Sequence, residues 1–222
     1  TISFFLLCLI VLFLVFQPDL GQSILLIITW ISIVFVSGFN LIFISLIIAF
    51  IVSLFFILLY FAPEKFSYIL TRLTSFISSE KSGYSQSQKA IEAIKEGGLK
   101  GQGMGEGILK EKVPEAHTDY IIAVVSEEFG SIVSILIILI FLFIAFRIIK
   151  KVINYSDNFY KLSLCGLTSL LIFQSFIHVG VNANLLPTTG MTLPFLSYGG
   201  SSLLSSGIIA GILLNYTSHN KN

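Results

Sequence analysis

LIFISLIIAFIVSLFFILLYFA, residues 41–62, carries no charged side chain and stops at Pro63. About 20 apolar residues in a helix cross the hydrocarbon core of a bilayer, so this stretch reads as a transmembrane helix. Just upstream, Leu20 to Val36 is a second apolar run, closed by the turn Ser37-Gly38-Phe39-Asn40. The two runs predict a tight antiparallel hairpin across the membrane. Before them, Ile2 to Phe16 is short for a span and ends at Gln17-Pro18-Asp19. There Pro18 cannot continue a helix and Asp19 can cap the next one. The chain is apolar from Ile2 onward, without a basic n-region or a small-residue cleavage site. We therefore expect a piece of a longer protein that starts inside or just before a helix, and a piece inactive by itself.

The composition agrees. Of 222 residues, 55% are hydrophobic and only 11% charged, and mean hydropathy is +0.93. A soluble domain carries about 25% charged residues. The formal net charge of +1 argues against a nucleic-acid partner, which needs a concentrated basic patch. Cys8 and Cys165 lie far apart inside apolar runs, which supports neither a disulfide nor a metal site.

Downstream of Pro63 the pattern changes. Phe66, Ile69, Leu70, Leu73, Phe76 and Ile77 recur at helical spacing with polar residues between them. This is the pattern of a helix lying on the membrane surface, with Arg72 on or near its polar side. A Ser/Gln/Lys-rich spacer follows, then a short helix around Ala90 to Lys95 and a glycine-rich stretch, Gly97 to Gly107. The membrane is re-entered after Pro114. Asp119 to Phe146 reads as one helix of about 28 residues, roughly 42 Å long, which exceeds a hydrocarbon thickness of about 30 Å. Its first turns, with Glu127 and Glu128, are expected at the interface or in a wet cavity.

Arg147, Lys150, Lys151 and Lys161 bracket the next connection, which the positive-inside rule places in the cytoplasm. A fifth run, Leu162 to Val179, returns outward. A sixth, Leu193 to Tyr216, goes back in, leaving His219-Asn220-Lys221-Asn222 cytoplasmic. The expected fold is thus an all-α polytopic membrane protein of about six transmembrane helices with a long extracytoplasmic loop. Residues 1–62 hold three spans, 63–118 the loop, and 119–222 three spans, the last one broken. Gln17-Pro18-Asp19, the long loop and Val181 to Thr192 then share one outer face.

Pro114-Glu115-Ala116-His117-Thr118-Asp119 opens a helix with two acids, a histidine and a hydroxyl. One such residue would suffice for capping. The free N–H groups and positive dipole end of a helix N-terminus seat phosphate well, and Asp119 is the best acid–base candidate there. Glu127 lies about 80° around the helix from Asp119, while Glu128 is nearly opposite. Carboxylates at this depth face either a cavity or a partner. The run Gly101 to Gly107 lacks the Gly-Lys-Ser/Thr ending of a nucleotide-binding loop; its glycines serve sharp turning. Lys100 before it either reaches a phosphate or is simply solvated. Leu186 to Ser202 is dense in Pro and Gly. It reads either as a broken helix lining a wet cavity, with Ser197 among its polar groups, or as close packing through small residues. His178, alone in its run, reads as a packing residue.

Taken together, Gln17-Pro18-Asp19-Leu20-Gly21, Pro114 to Asp119 with Glu127-Glu128, and Leu185 to Ser202 resemble the signatures of the SEDS family (shape, elongation, division and sporulation). Gln17, Ala116 and Thr188 to Leu193 point to its division branch. The resemblance spans the chain and implies the last six helices of a ten-helix fold. It also implies a bacterial cytoplasmic-membrane enzyme, a peptidoglycan glycosyltransferase polymerising lipid II on the extracytoplasmic face. The implied partners are a class B penicillin-binding protein, a transpeptidase, together with other division proteins and membrane lipids. The family's essential aspartate matches Asp119, its Pro-Asp-Leu-Gly aspartate matches Asp19, and its loop arginine matches Arg72. Where some division members carry a lysine, this chain has Thr189. Around Asp119 as base, the expected substrate-binding residues are Asp19, Arg72, Lys100, Glu115, His117, Thr118 and Ser197, with Mg or Mn as an optional cation. A lipid II flippase and a non-catalytic division scaffold are the alternatives.

Overall fold

The computed structural model describes residues 2–61, 67–77, 86–113, 115–153 and 155–218. Pro63, Phe66, the spacer's centre, Pro114 and the His219 to Asn222 tail lie outside the described residues. The described residues are helical throughout their regular structure: α1 (Ile2–Phe16), α2 (Leu20–Val36), α3 (Leu41–Phe61), α4 (Ser67–Ile77), α5 (Gln86–Gly97), α6 (Leu109–Lys112), α7 (Ile121–Phe129), α8 (Ser131–Val152), α9 (Asn158–Asn182) and α10 (Gly200–Ser218).

Local chemistry sets several ends. Asp19 is the N-cap of α2, its Oδ1 accepting from Gln22 N at 3.0 Å, as expected. Asp157 caps α9 in the same way, accepting from Phe159 N at 2.8 Å. Among the described residues, α8 and α9 are long and apolar enough to cross a bilayer, while α1, α2 and the described run of α3 are apolar but shorter. On α8, Ile132, Ile135, Leu139, Phe143 and Phe146 are all exposed, an apolar face suited to lipid rather than water.

The expected helix from Asp119 to Phe146 is not continuous. It breaks at Gly130, whose φ of +89° belongs to the left-handed region open to glycine. A Cβ there would stand 2.2 Å from Leu99 O. The long loop is correspondingly less of a free spacer than its composition suggests. Gln102 N and Gly103 N donate to Glu127 O and Glu128 O at 2.9 and 3.0 Å, and Ser131 N donates to Gly98 O at 2.9 Å. The glycine-rich stretch therefore takes up the open carbonyls at the end of α7 and the first open N–H of α8. Glu127 completes this clamp: its Oε1 and Oε2 accept from Ile108 N at 2.8 Å and Leu109 N at 3.1 Å, and the residue is fully buried. It faces backbone, not a wet cavity.

Small side chains let α5 lie close on α7. Ala90, Ala93, Ala116 and Ala123 join Leu25, Val113, Tyr120, Val124, Val181 and Met191 in one buried cluster. A second cluster joins α8, α9 and α10 through Ile148, Val152, Leu164, Leu171 and Leu213. At its basic end, Lys151 Nζ donates to Thr217 O at 2.7 Å and the Tyr155 hydroxyl donates to Tyr216 O. The end of α10 thus sits beside the Arg147 to Lys161 connection. The last apolar run does not begin a helix at Leu193; residues 191–199 are irregular and α10 starts at Gly200.

Candidate functional site

Three segments distant in sequence meet at the opposite end of the bundle. The first is the N-terminus of α2. A Cβ on Gly21 would stand 2.8 Å from Met191 Cγ and 3.0 Å from Thr189 Cβ, so glycine lets residues 189–191 lie directly on α2. The second is that 187–199 segment, and the third is the turn over residues 115–120 that leads into α7. A Cβ on Gly190 would stand 3.7 Å from Asp119 Oδ2, which puts the carboxyl beside Gly190.

The turn is a product of its own hydrogen bonds. Thr118 N and Asp119 N both donate to Glu115 O, at 3.2 and 3.0 Å. Asp119 therefore precedes the helix, whose N-cap is Tyr120, and its backbone N–H is already used. The simple picture of a free helix N-terminus cradling phosphate at Asp119 does not hold. What the turn presents instead is side chains.

Asp119 is half-buried, and its carboxyl is pushed up from 3.8 to about 6. Burial contributes most; a side-chain hydrogen bond with Glu115 and that residue's negative charge add to it. A hydrogen bond from Thr118 and the charge of Arg72 act in the opposite direction. Tyr120, behind it, is pushed up to about 12, first by burial and then by the charges of Asp119 and Glu115. Tyr68 on α4 is raised by burial and by Asp19, and lowered by Arg72. Arg72 on α4 is thus within electrostatic reach of Tyr68, Asp119 and Tyr120.

Asp119, Glu115, Thr118 and Arg72 are thus brought together, while Asp19, the cap of α2, is linked to this corner through its charge on Tyr68. His117 is exposed on the outer side of the turn, where its carbonyl accepts from Tyr198 N at 3.0 Å. A groove opens there, lined by His117, Ile121, Phe195, Tyr198, Gly199 and Leu203. Ser197 also lines this groove, its Oγ donating to Thr118 O at 2.6 Å and accepting from Leu193 N at 2.8 Å, so it stitches two segments at the groove wall. Lys100 is exposed and lies in the glycine-rich stretch at the far end of α7, about 13 Å of helix away from Asp119.

Residue-by-residue reading missed Asn182 and Gln174, and it gave His178 a packing role. Asn182 Nδ2 donates to Asp119 O at 3.0 Å and to His178 O at 2.8 Å, while its Oδ1 accepts from Ala123 N at 3.1 Å. Nδ1 of His178 lies 2.8 Å from Met191 O, and Gln174 Nε2 donates to Thr192 O at 2.9 Å. Their i, i+4, i+8 spacing, about 40° per step on a helix, is a polar stripe in an apolar run and was the signal available. Tyr68, Tyr120 and Thr189 place hydroxyls around the same corner that are buried and unbonded among the described residues.

Residues 1–222 match the family of cell cycle proteins that groups FtsW, RodA and SpoVE. The chain is similar to the probable peptidoglycan glycosyltransferase FtsW of Caulobacter vibrioides, 37% identical over 218 residues, which cover 96% of this chain and 54% of the relative. It is 36% identical to the protein of that name from Escherichia coli O6:H1 over 210 residues, covering 90% of this chain and 50% of the relative. The chain thus spans about half the length of these curated relatives. Two solved structures share the fold. One is a chain of a peptidoglycan synthase complex, with a TM-score of 0.69 at 22% identity, covering 96% of this chain and 60% of that one. The other is a RodA variant from Thermus thermophilus, with a TM-score of 0.61 at 23% identity, covering 96% and 54%. On the match along its whole length and on these relatives, the chain belongs to the FtsW/RodA/SpoVE family of cell cycle proteins.

Proposed function

We propose that the protein to which this chain belongs is a peptidoglycan glycosyltransferase of cell division, polymerising lipid II into β-1,4-linked glycan, with Asp119 as general base. One observation carries the reading. Asp119 is a half-buried carboxyl poised at about 6, close to neutrality, where a base is both ionised and effective. Asp119 takes the proton from the acceptor sugar's 4-hydroxyl as that oxygen attacks the donor's anomeric carbon. The bond to the lipid diphosphate breaks and the diphosphate leaves with the electron pair. Arg72 balances the charge that develops on the leaving group, and Glu115 holds Asp119 through their hydrogen bond. Asp19 caps the start of α2, on which the 189–191 segment lies at Gly21, and Thr118 hydrogen-bonds the Asp119 carboxyl. A Mg or Mn ion would offset diphosphate charge, but among the described residues no group of three or more His, Cys, Asp or Glu side chains is set to hold one.

In this reading about six transmembrane helices sit in the bacterial cytoplasmic membrane, with Asp119 on the extracytoplasmic side and the C-terminus inside. The polyprenyl tails stay in lipid. A class B penicillin-binding protein would crosslink the product; the similarity to a chain of a complex that coordinates polymerization and crosslinking supports such a partner.

Full-length protein with its transpeptidase, supplied with labelled lipid II in detergent, tests the proposal. Glycan chains are expected from the wild type and none from Asp119→Asn. Polymer formation by that variant would sink the role of Asp119. Lipid movement in sealed vesicles without any polymer would identify a flippase, and neither activity a scaffold. A chelator titration in the same assay reads the cation requirement.

A further inference from the structure

We propose that Asn182, His178 and Gln174 are positioning residues, a polar rack along α9 that sets the Asp119 carboxyl against the 189–192 segment. The inference rests on the catalytic reading of Asp119 but concerns residues outside its immediate surroundings.

The rack grips both walls of the site by their backbones. On one wall it holds the carbonyls of Met191 and Thr192, through His178 and Gln174. On the other, Asn182 holds Asp119 O and Ala123 N, the residue's own peptide and the first turn of α7. A carbonyl oxygen only accepts, so His178 donates from a protonated Nδ1. Its Nε2 is buried and unbonded among the described residues, so the ring serves here through one donor. Asn182 uses its oxygen and both amide hydrogens, and the residue is 1% exposed. Its second amide bond, to His178 O, ties the two grips together.

The geometry between the walls depends on this grip. Gly190 directly precedes the carbonyl that His178 holds, and Asp119 Oδ2 lies beside Gly190. Across the gap the walls are also joined through Ser197 and Thr118 O, so the rack and the Ser197 stitch fix the spacing from two sides. All three rack residues belong to one continuous helix of 25 residues. Neither the turn nor the irregular segment has a regular element of its own at these positions, so α9 supplies the rigidity that both lack. Misplacement of a catalytic group by about 1 Å can cost about 100-fold in rate. Sub-ångström control over Asp119 is therefore worth keeping even at the cost of three polar residues inside an apolar helix.

The test uses full-length protein with labelled lipid II, comparing Asn182→Ala, His178→Ala and His178→Asn with the wild type. For the alanine variants we expect kcat to fall about 10- to 100-fold, with KM within a few-fold. The Asn side chain can again donate to Met191 O, and His178→Asn should recover most of the rate. Loosening the turn exposes the Asp119 carboxyl to water and weakens the burial that raises it. The acid limb of kcat in Asn182→Ala should therefore move to lower pH. Carbodiimide labelling of Asp119, followed by mass spectrometry across pH, reports the same midpoint without any turnover. Labelling thus separates failure of this inference from failure of the polymerase reading. Wild-type rates in both alanine variants, or an unmoved labelling midpoint in Asn182→Ala, would overturn the rack. So would a loss of rate that follows loss of folded protein and is not recovered by His178→Asn. Should His178→Ala not accumulate, Asn182→Ala decides by labelling.

Discussion

Glu127 and Asp119 are carboxylates at the two ends of α7, and the fold treats them in opposite ways. Glu127 is fully buried and accepts from two backbone N–H groups, those of Ile108 and Leu109. Asp119 is half-buried, shares a hydrogen bond with a second carboxyl, and is held up at about 6. One acid stabilises a junction of loop and helix. The other stands beside a second acid, and its carboxyl is raised there. An acidic residue near a membrane helix is therefore not informative by itself; what it accepts from decides its role. Backbone donors tie a carboxylate to the fold, whereas burial beside a second acid raises a carboxyl above its usual range.

The comparison breaks most severely if Asp119 is dispensable. Asp119→Asn keeps the shape and most contacts, so a folded protein should lose polymerisation by about 100- to 10,000-fold, read as glycan product from lipid II. The second largest effect is on stability, not chemistry. Glu127→Ala strands the buried N–H of Leu109 at about 1–3 kcal/mol and frees that of the exposed Ile108, and it should lower the thermal midpoint of the purified protein while Asp119→Asn leaves it near that of the wild type. Equal midpoints for Glu127→Ala and wild type would erase the structural role.

A subtler change sharpens the Asp119 side. In Glu115→Gln the negative charge is gone and an amide can donate to Asp119. Both changes favour ionised Asp119, so the acid limb of the pH–rate profile should move below about 6. Arg72→Gln removes an opposing positive charge and should move it up. Shifts in the reverse directions would refute the assigned causes. The smallest effect is expected at Lys100→Ala. That side chain is exposed at the Glu127 end of α7, and lipid II polymerisation should stay within about two-fold of wild type, because an isolated solvated charge contributes little. A large loss there would show that the glycine-rich stretch reaches the substrate.

Much of the architecture was legible because it follows from local properties. The apolar runs became helices, Asp19 became the cap of α2, and the amphipathic pattern after Pro63 gave α4 over its described residues. The break at Gly130 was not legible. Nothing in Glu127-Glu128-Phe129-Gly130-Ser131 rules out a continuous helix, because one glycine costs about 1 kcal/mol there. The break exists because the 98–103 stretch, far upstream, offers partners for the ends it exposes. The packing of α5 on α7 was hidden for a similar reason: Ala90, Ala93 and Ala123 read as bland residues until they face one another.

The candidate site divides in the same way. Asp119, Glu115, Thr118, Arg72 and Asp19 were visible as polar chemistry at the edges of apolar runs and through the family resemblance. Ser197 was visible too, but its hydroxyl proved to be engaged by Thr118 O and Leu193 N. Asn182 and Gln174 were overlooked because a polar group inside an apolar helix has no stated partner until the neighbouring segments are placed. Sequence alone determined that this is a helical membrane chain, where its apolar runs lie, and which side chains carry charge, because length, hydropathy and titratable groups belong to single residues and short windows. Only the tertiary structure decided which carboxylate is committed to backbone donors and which stands half-buried beside a second acid, because that depends on what the surrounding segments bring to each: Ile108 N and Leu109 N to Glu127, Glu115 and Arg72 to Asp119.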